Sequence, residues 1–151
     1  MVDEHQYLSD KLKELRAEYQ KLVDDGLEQE ILLDGKTLQS CLQDQLAIHL
    51  KVCSVREKVK YHMEECKNHF ENAYSHKYSE LSLDSYKDLS SGDMKQISMT
   101  TSEYISYKKL YNRYRSLYET LCDVEDVIET RKYTLKTLTD SIINGINKTV
   151  L

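Results

Sequence analysis

Residues 103–144 read EYISYKKLYNRYRSLYETLCDVEDVIETRKYTLKTLTDSIIN, and this stretch decides the fold. Leu110, Tyr114, Leu117, Leu121, Val124, Ile128, Arg131, Leu135, Leu138 and Ile142 step by four and three throughout, the period of one face of a helix. Only Arg131 interrupts this apolar seam. A row of rings overlaps it: Tyr104, Tyr107, Tyr111, Tyr114 and Tyr118 recur at alternating spacings of three and four. Lys108, Lys109, Arg113 and Arg115 are threaded among them, with no acidic residue between Tyr104 and Tyr118. The chain has no proline and only four glycines in 151 residues, so little interrupts long helices and little supplies the turns of a sandwich or barrel. The expected class is all-α.

Working outward, the sequence predicts a single helical domain over residues 1–151. Leu8, Leu12, Leu15, Tyr19 and Leu22 form the stripe of an amphipathic N-terminal helix within residues 1–25, which stops at Asp24-Asp25-Gly26. An apolar run, Ile31-Leu32-Leu33, leads to Asp34-Gly35, where Asp34 is the candidate N-cap of a long helix over residues 35–78. Its apolar positions include Leu38, Leu42, Leu46, Cys53, Met63, Cys66, Phe70 and Ala73. Residues 79–102, rich in Ser, Asp and Lys and carrying Gly92, lack periodicity and read as a mobile connection with room for one helical turn. The last long helix covers residues 103–145.

A helix of some 40 residues is about 60 Å long, whereas a compact domain of this size is roughly 30–40 Å across. The two long helices are therefore expected to fold into an antiparallel, coiled-coil-like hairpin. Because the tyrosine row and the heptad seam coincide only in part, an apolar face is left over for self-association. The expected oligomer seam is Leu121, Val124, Ile128, Arg131, Leu135, Leu138 and Ile142. Alternating charge blocks support pairing between staggered neighbours: basic at 108–115, acidic at Glu119, Asp123, Glu125, Asp126 and Glu129, basic at Arg131, Lys132 and Lys136. Arg131 either fixes register within the seam or packs its stem while its head reaches water.

Composition narrows the function. Twelve Tyr, one Phe and no Trp place a hydroxyl on nearly every ring, which suits half-buried seams and interfaces. Net charge is −5, but the acidity is N-terminal: residues 1–50 hold eleven acids against five bases, and residues 91–151 hold eight against nine. Binding responds to the local field of a groove, and acids farther away than a Debye length of about 8 Å are largely screened, so this balance opposes avid duplex binding without opposing nucleic acid as such. No phosphate-loop, nucleophile-elbow or glycine-rich cofactor motif is present, and no catalysis is expected. Cys41, Cys53, Cys66 and Cys122 show no CxxC spacing and read as reduced, structural thiols. With no signal-like N-terminus and no apolar run near 20 residues, a soluble, cytoplasmic protein is expected. His62, Cys66, His69 and His76 share one helical face, but a single helix closes a tetrahedron poorly, so neither metal nor cofactor is expected.

Rings beside cations are what a single strand of nucleic acid requires for base stacking and phosphate neutralisation. On this reading Lys77, Tyr78, Lys108, Lys109, Arg113 and Arg115 are candidate contacts, and Arg56, Lys58 and Lys60 form a second basic patch. Tyr107, Tyr111 and Tyr114 either stack on bases or pack a seam.

Three segments resemble the UvsY family of phage recombination mediators. Ile31-Leu32-Leu33-Asp34-Gly35-Lys36-Thr37-Leu38 is similar to the family's apolar lead-in before its long helix. Phe70 to Tyr78, with Tyr74, His76, Lys77 and Tyr78, resembles its aromatic and basic helix end. Arg131-Lys132-Tyr133-Thr134-Leu135-Lys136 is similar to its C-terminal Arg, aromatic, aliphatic, Lys pattern. The resemblance implies a ring-like homo-oligomer in the cytoplasm of an infected bacterial host. It also implies binding to single-stranded DNA, contacts with a RecA-like recombinase and a single-strand-binding protein, and no catalysis. A coiled-coil structural or assembly adaptor, with the tyrosine row as an interface, is the competing expectation.

Overall fold

A computed structural model describes residues 3–33, 36–83 and 89–149, without the side chains of 146–149. It is all-α, in the order α1 (Glu4–Asp24), α2 (Leu27–Ile31), α3 (Leu38–Leu83), α4 (Ser91–Met99) and α5 (Ser102–Thr149). No strand occurs among the described residues. The long helices α3 and α5 pack against each other, as the expected hairpin requires.

The boundaries follow from local chemistry. Gly26 has φ 97°, a left-handed conformation that a side chain would strain, and it separates α1 from α2. The short helix α2, which is not among the elements expected from the sequence, ends at Ile31, the first residue of the apolar run. Asp34, the candidate cap of the long helix, lies outside the described residues. Thr37 instead caps α3, its Oγ1 accepting from the Ser40 amide at 3.2 Å. With no glycine or proline between Leu38 and Leu83, α3 continues past the expected end at Tyr78, and Leu81 is buried on its last turn.

The connection foreseen over residues 79–102 is largely helical where it is described; residues 84–88 lie outside the described residues. A capping box starts α4: the Ser90 hydroxyl accepts from the Asp93 amide, and the Asp93 carboxylate accepts from the Ser90 amide. Buried Ser98 satisfies its hydroxyl on the Met94 carbonyl at 2.7 Å.

The chain forms two compact units, and α1, α3 and α5 each contribute a stretch to both. The first comprises residues 1–15 and 58–118. Its core joins Leu8, Leu12 and Leu15 of α1 to Val59, Met63, Cys66, Phe70 and Ala73 of α3 and to Tyr107, Leu110, Tyr114 and Leu117 of α5. The pairing is antiparallel: His62 meets Tyr114, while Phe70, two turns on, meets Tyr111 and Tyr104. Each fully buried aliphatic or aromatic side chain contributes about 1.5–3 kcal/mol.

The second unit comprises residues 16–57 and 119–151. Leu27, Cys41, Ile48, Val52, Val55, Leu121, Ile128 and Leu135 are its buried apolar residues. Arg131 is buried among them at 4% exposure. Its Nε donates to the Ile31 carbonyl at 3.0 Å and its Nη1 to the Gln45 side-chain oxygen. Gln45 in turn donates to the Ile128 carbonyl at 3.0 Å, so one arginine and one glutamine tie α2, α3 and α5 together. Of the two roles open to Arg131, the packed stem with a solvated head is not the one seen.

Candidate nucleic-acid interface

Within the first unit, Ser102, Ser106, Lys109 and Arg113 fall on one face of α5 at spacings of four, three and four. Together with His5 and Ser9 of α1 they line an open groove of about 470 Å³, floored by Ile105 and Leu110. Among the described residues, no carboxylate lines it. Lys109 and Arg113 are exposed, so their charges reach a ligand without first being desolvated. Two cations, three hydroxyls and an imidazole around an apolar floor suit an anionic, partly hydrophobic chain such as a phosphodiester backbone with its sugars.

The tyrosine row divides. Tyr107 and Tyr114 are buried, at 7% and 0% exposure, and belong to the seam. The Tyr107 ring stacks on His69 at 4.5 Å and meets His5 edge-on at 5.3 Å. Burial, reinforced by the Glu4 and Asp3 carboxylates, pushes its phenol pKa up. Burial likewise raises the Tyr114 phenol, whose hydroxyl is held on the Leu8 carbonyl. Neither ring presents a face to a base. Tyr111 is half-buried, edge-on to Phe70 at 5.5 Å, and Lys108 places its Nζ 4.3 Å from the centre of Phe70 and 5.0 Å from that of Tyr111. The Lys108 cation is thus partly engaged with rings.

The other candidates vary in setting. Arg115 and Lys58 are exposed, as is Lys60. Lys77 is half-buried and pairs with Glu80 at 3.0 Å. Tyr78 is half-buried against Tyr74, its hydroxyl 3.4 Å from that of Ser91. Arg56, in the second unit, is half-buried and ion-paired with Glu57 at 2.6 Å and with Glu125, so its charge is largely neutralised in place. Exposed rings lie elsewhere: Tyr61 beside Lys60 is 63% exposed, and Tyr133 beside Lys132 is 65% exposed. Neither belongs to a periodic row, which is why the sequence did not single them out as stacking residues. The groove residues His5 and Ser9 were missed as well, because their partners stand about 100 positions away.

Of the expected oligomer seam, Leu121, Ile128, Arg131 and Leu135 are buried within the second unit of the chain itself, and Val124 is half-buried. Leu138 and Ile142 are exposed, with Ile143 beside them. Leu42, Leu46 and Leu50 form a further exposed row at spacings of four on α3.

The histidine and cysteine face at 62–69 is packed. His62 pairs with Glu65 at 2.6 Å, His69 lies 3.7 Å from Glu4, and Cys66 is fully buried with its thiol pushed up to about 12 by desolvation. Among the described residues, none of the helices is long and apolar enough to cross a membrane. No family model, curated protein or solved structure matches the chain.

Proposed function

We propose that the chain binds single-stranded DNA as a recombination mediator, loosening a single-strand-binding protein and offering the strand to a RecA-like recombinase. The observation that carries the DNA-binding part is the α1–α5 groove, where Lys109 and Arg113 stand with Ser9, Ser102 and Ser106 and, among the described residues, no carboxylate lines the wall. The mediator part rests on the resemblance of residues 31–38, 70–78 and 131–136 to the UvsY family. Because Tyr107 and Tyr114 are enclosed, phosphate neutralisation dominates over stacking on the tyrosine row, and exposed rings such as Tyr61 and Tyr133 are open to bases. Self-association through Leu138, Ile142, Ile143 and the Leu42, Leu46, Leu50 row multiplies a modest affinity per subunit.

A second reading, a helical adaptor without nucleic acid, is favoured by one observation: the same exposed leucine and isoleucine rows suit a protein partner as well as a second copy. Fluorescence anisotropy of labelled oligo-dT, with a duplex of equal length for comparison and oligomer mass from light scattering, separates the two. Salt-sensitive binding that prefers the single strand supports the mediator. An oligomer that ignores both DNAs at low salt supports the adaptor.

A further inference from the structure

His49 and Cys53 lie one turn apart on α3 in the second unit, and Glu125 faces them from α5. The His49 Nε2 is 3.5 Å from the Glu125 Oε1, and these atoms and the Cys53 Sγ all lie within 4.8 Å of one another. With zinc bonds of about 2.0–2.3 Å, donors at the corners of a tetrahedron are roughly 3.3–3.7 Å apart. The histidine and carboxylate already stand at that separation, and a rotamer adjustment brings in the thiolate.

We propose that His49, Cys53 and Glu125 bind a zinc ion that clasps α3 to α5, with a fourth coordination position open to water. Each donor is already oriented by a second partner. The other His49 nitrogen, Nδ1, faces the Glu129 carboxylate at 3.5 Å, the arrangement that fixes an imidazole with Nε2 toward a metal. Arg56 holds the Glu125 Oε2, leaving Oε1 turned to His49. The Arg56 Nη2 lies 3.6 Å from the Cys53 Sγ, on the same guanidinium that holds Glu125.

The charges balance as well. A Cys53 thiolate with Glu125 and Glu129 carries three negative charges against one on Arg56, leaving two for a divalent cation to neutralise. At the rim, Glu57 on Arg56 and Lys132 on Glu129 cancel each other. All three donors are half-buried, which shields the site without closing it. One nitrogen, one sulfur and one oxygen donor form a set that zinc accepts readily and that magnesium or calcium does not.

The test is calorimetric titration of the chelator-stripped, reduced full chain with Zn²⁺, together with absorption spectra of the Co²⁺ form. One equivalent bound, with a thiolate-to-cobalt charge-transfer band and intense tetrahedral d–d bands, is expected. Cys53→Ser should remove the charge-transfer band, and Glu129→Gln should weaken binding by about 10–100-fold while keeping the spectrum. His76→Asn, on the exposed continuation of the other histidine face, should change neither. Far-UV circular dichroism confirms that the variants stay helical, and the wild-type cobalt spectrum decides independently of any variant. Binding of less than one equivalent, a cobalt complex without a thiolate band, or a band that survives Cys53→Ser would overturn the proposal.

Discussion

The Tyr114 hydroxyl donates a 2.7 Å hydrogen bond to the Leu8 backbone carbonyl at a site where both residues are buried. That carbonyl already sits inside α1, so its second lone pair is the one the phenol takes, and the bond ties α5 to α1 beneath the candidate groove. Tyr114→Phe keeps the ring and removes only the donor. The expected loss is about 1–2 kcal/mol in urea denaturation, with oligo-dT affinity of the folded protein unchanged. A loss of affinity at unchanged stability would place the ring against DNA instead.

Arg131 makes a different prediction, because its buried guanidinium bonds to two neutral oxygens and its Nη2 has no hydrogen-bond partner among the described residues. A methionine of similar length removes the desolvated charge while filling the space. Arg131→Met is expected to change stability by no more than about 1 kcal/mol, since the saved desolvation offsets the two lost bonds. Arg131→Ala leaves a cavity as well and should cost about 2–4 kcal/mol. Equal, large losses in both variants would mean that the hydrogen bonds, rather than the packing, hold this position.

How far the sequence foretold this arrangement depends on the kind of signal. The four-and-three step from Leu110 to Leu135 marked the buried face of α5, and the packing of α3 against α5 followed from length. The fate of the tyrosines was not readable, because Tyr107 and Tyr114 lie on the same face as Leu110 and Leu117 whether that face is covered by α1 and α3 or by another copy. α4 was foreseen only as one helical turn without a position, because nine residues with few apolar positions give no period, although the Ser90 and Asp93 pair of its capping box was present in the sequence. The zinc-type cluster was invisible for a simpler reason: His49 and Cys53 are four apart, but Glu125 reaches them only through the antiparallel pairing of α3 with α5.

Cys66 gives the alkaline prediction. Burial pushes its thiol up to about 12, against about 8.5 for an unfolded cysteine. Between those values the unfolded chain has released a proton that the folded chain keeps, so the unfolded state binds fewer protons. Stability is therefore fully retained below about pH 8.5 and falls as pH rises toward 12, by at most about 1.4 kcal/mol per pH unit for this one group. Cys66→Ala should be less stable at neutral pH yet show a shallower decline between pH 9 and 11 in urea titrations. In the native protein a thiol reagent at pH 8 should modify the half-buried Cys53 and Cys122 well before Cys66. Prompt modification of Cys66 would show that the core of the first unit opens readily.

The charge of the groove is the central claim, and the salt dependence of binding measures it. Each phosphate neutralised on a single strand contributes a slope of roughly −0.7 in log K against log salt. Replacing both Lys109 and Arg113 by glutamine leaves the buried contacts of α5 in place, since both side chains are exposed. Anisotropy of labelled oligo-dT across a salt series should then show weaker binding and a slope shallower by roughly 1.4 for the double variant. Binding with an unchanged slope would contradict the account, because the strand would then lie elsewhere on the molecule.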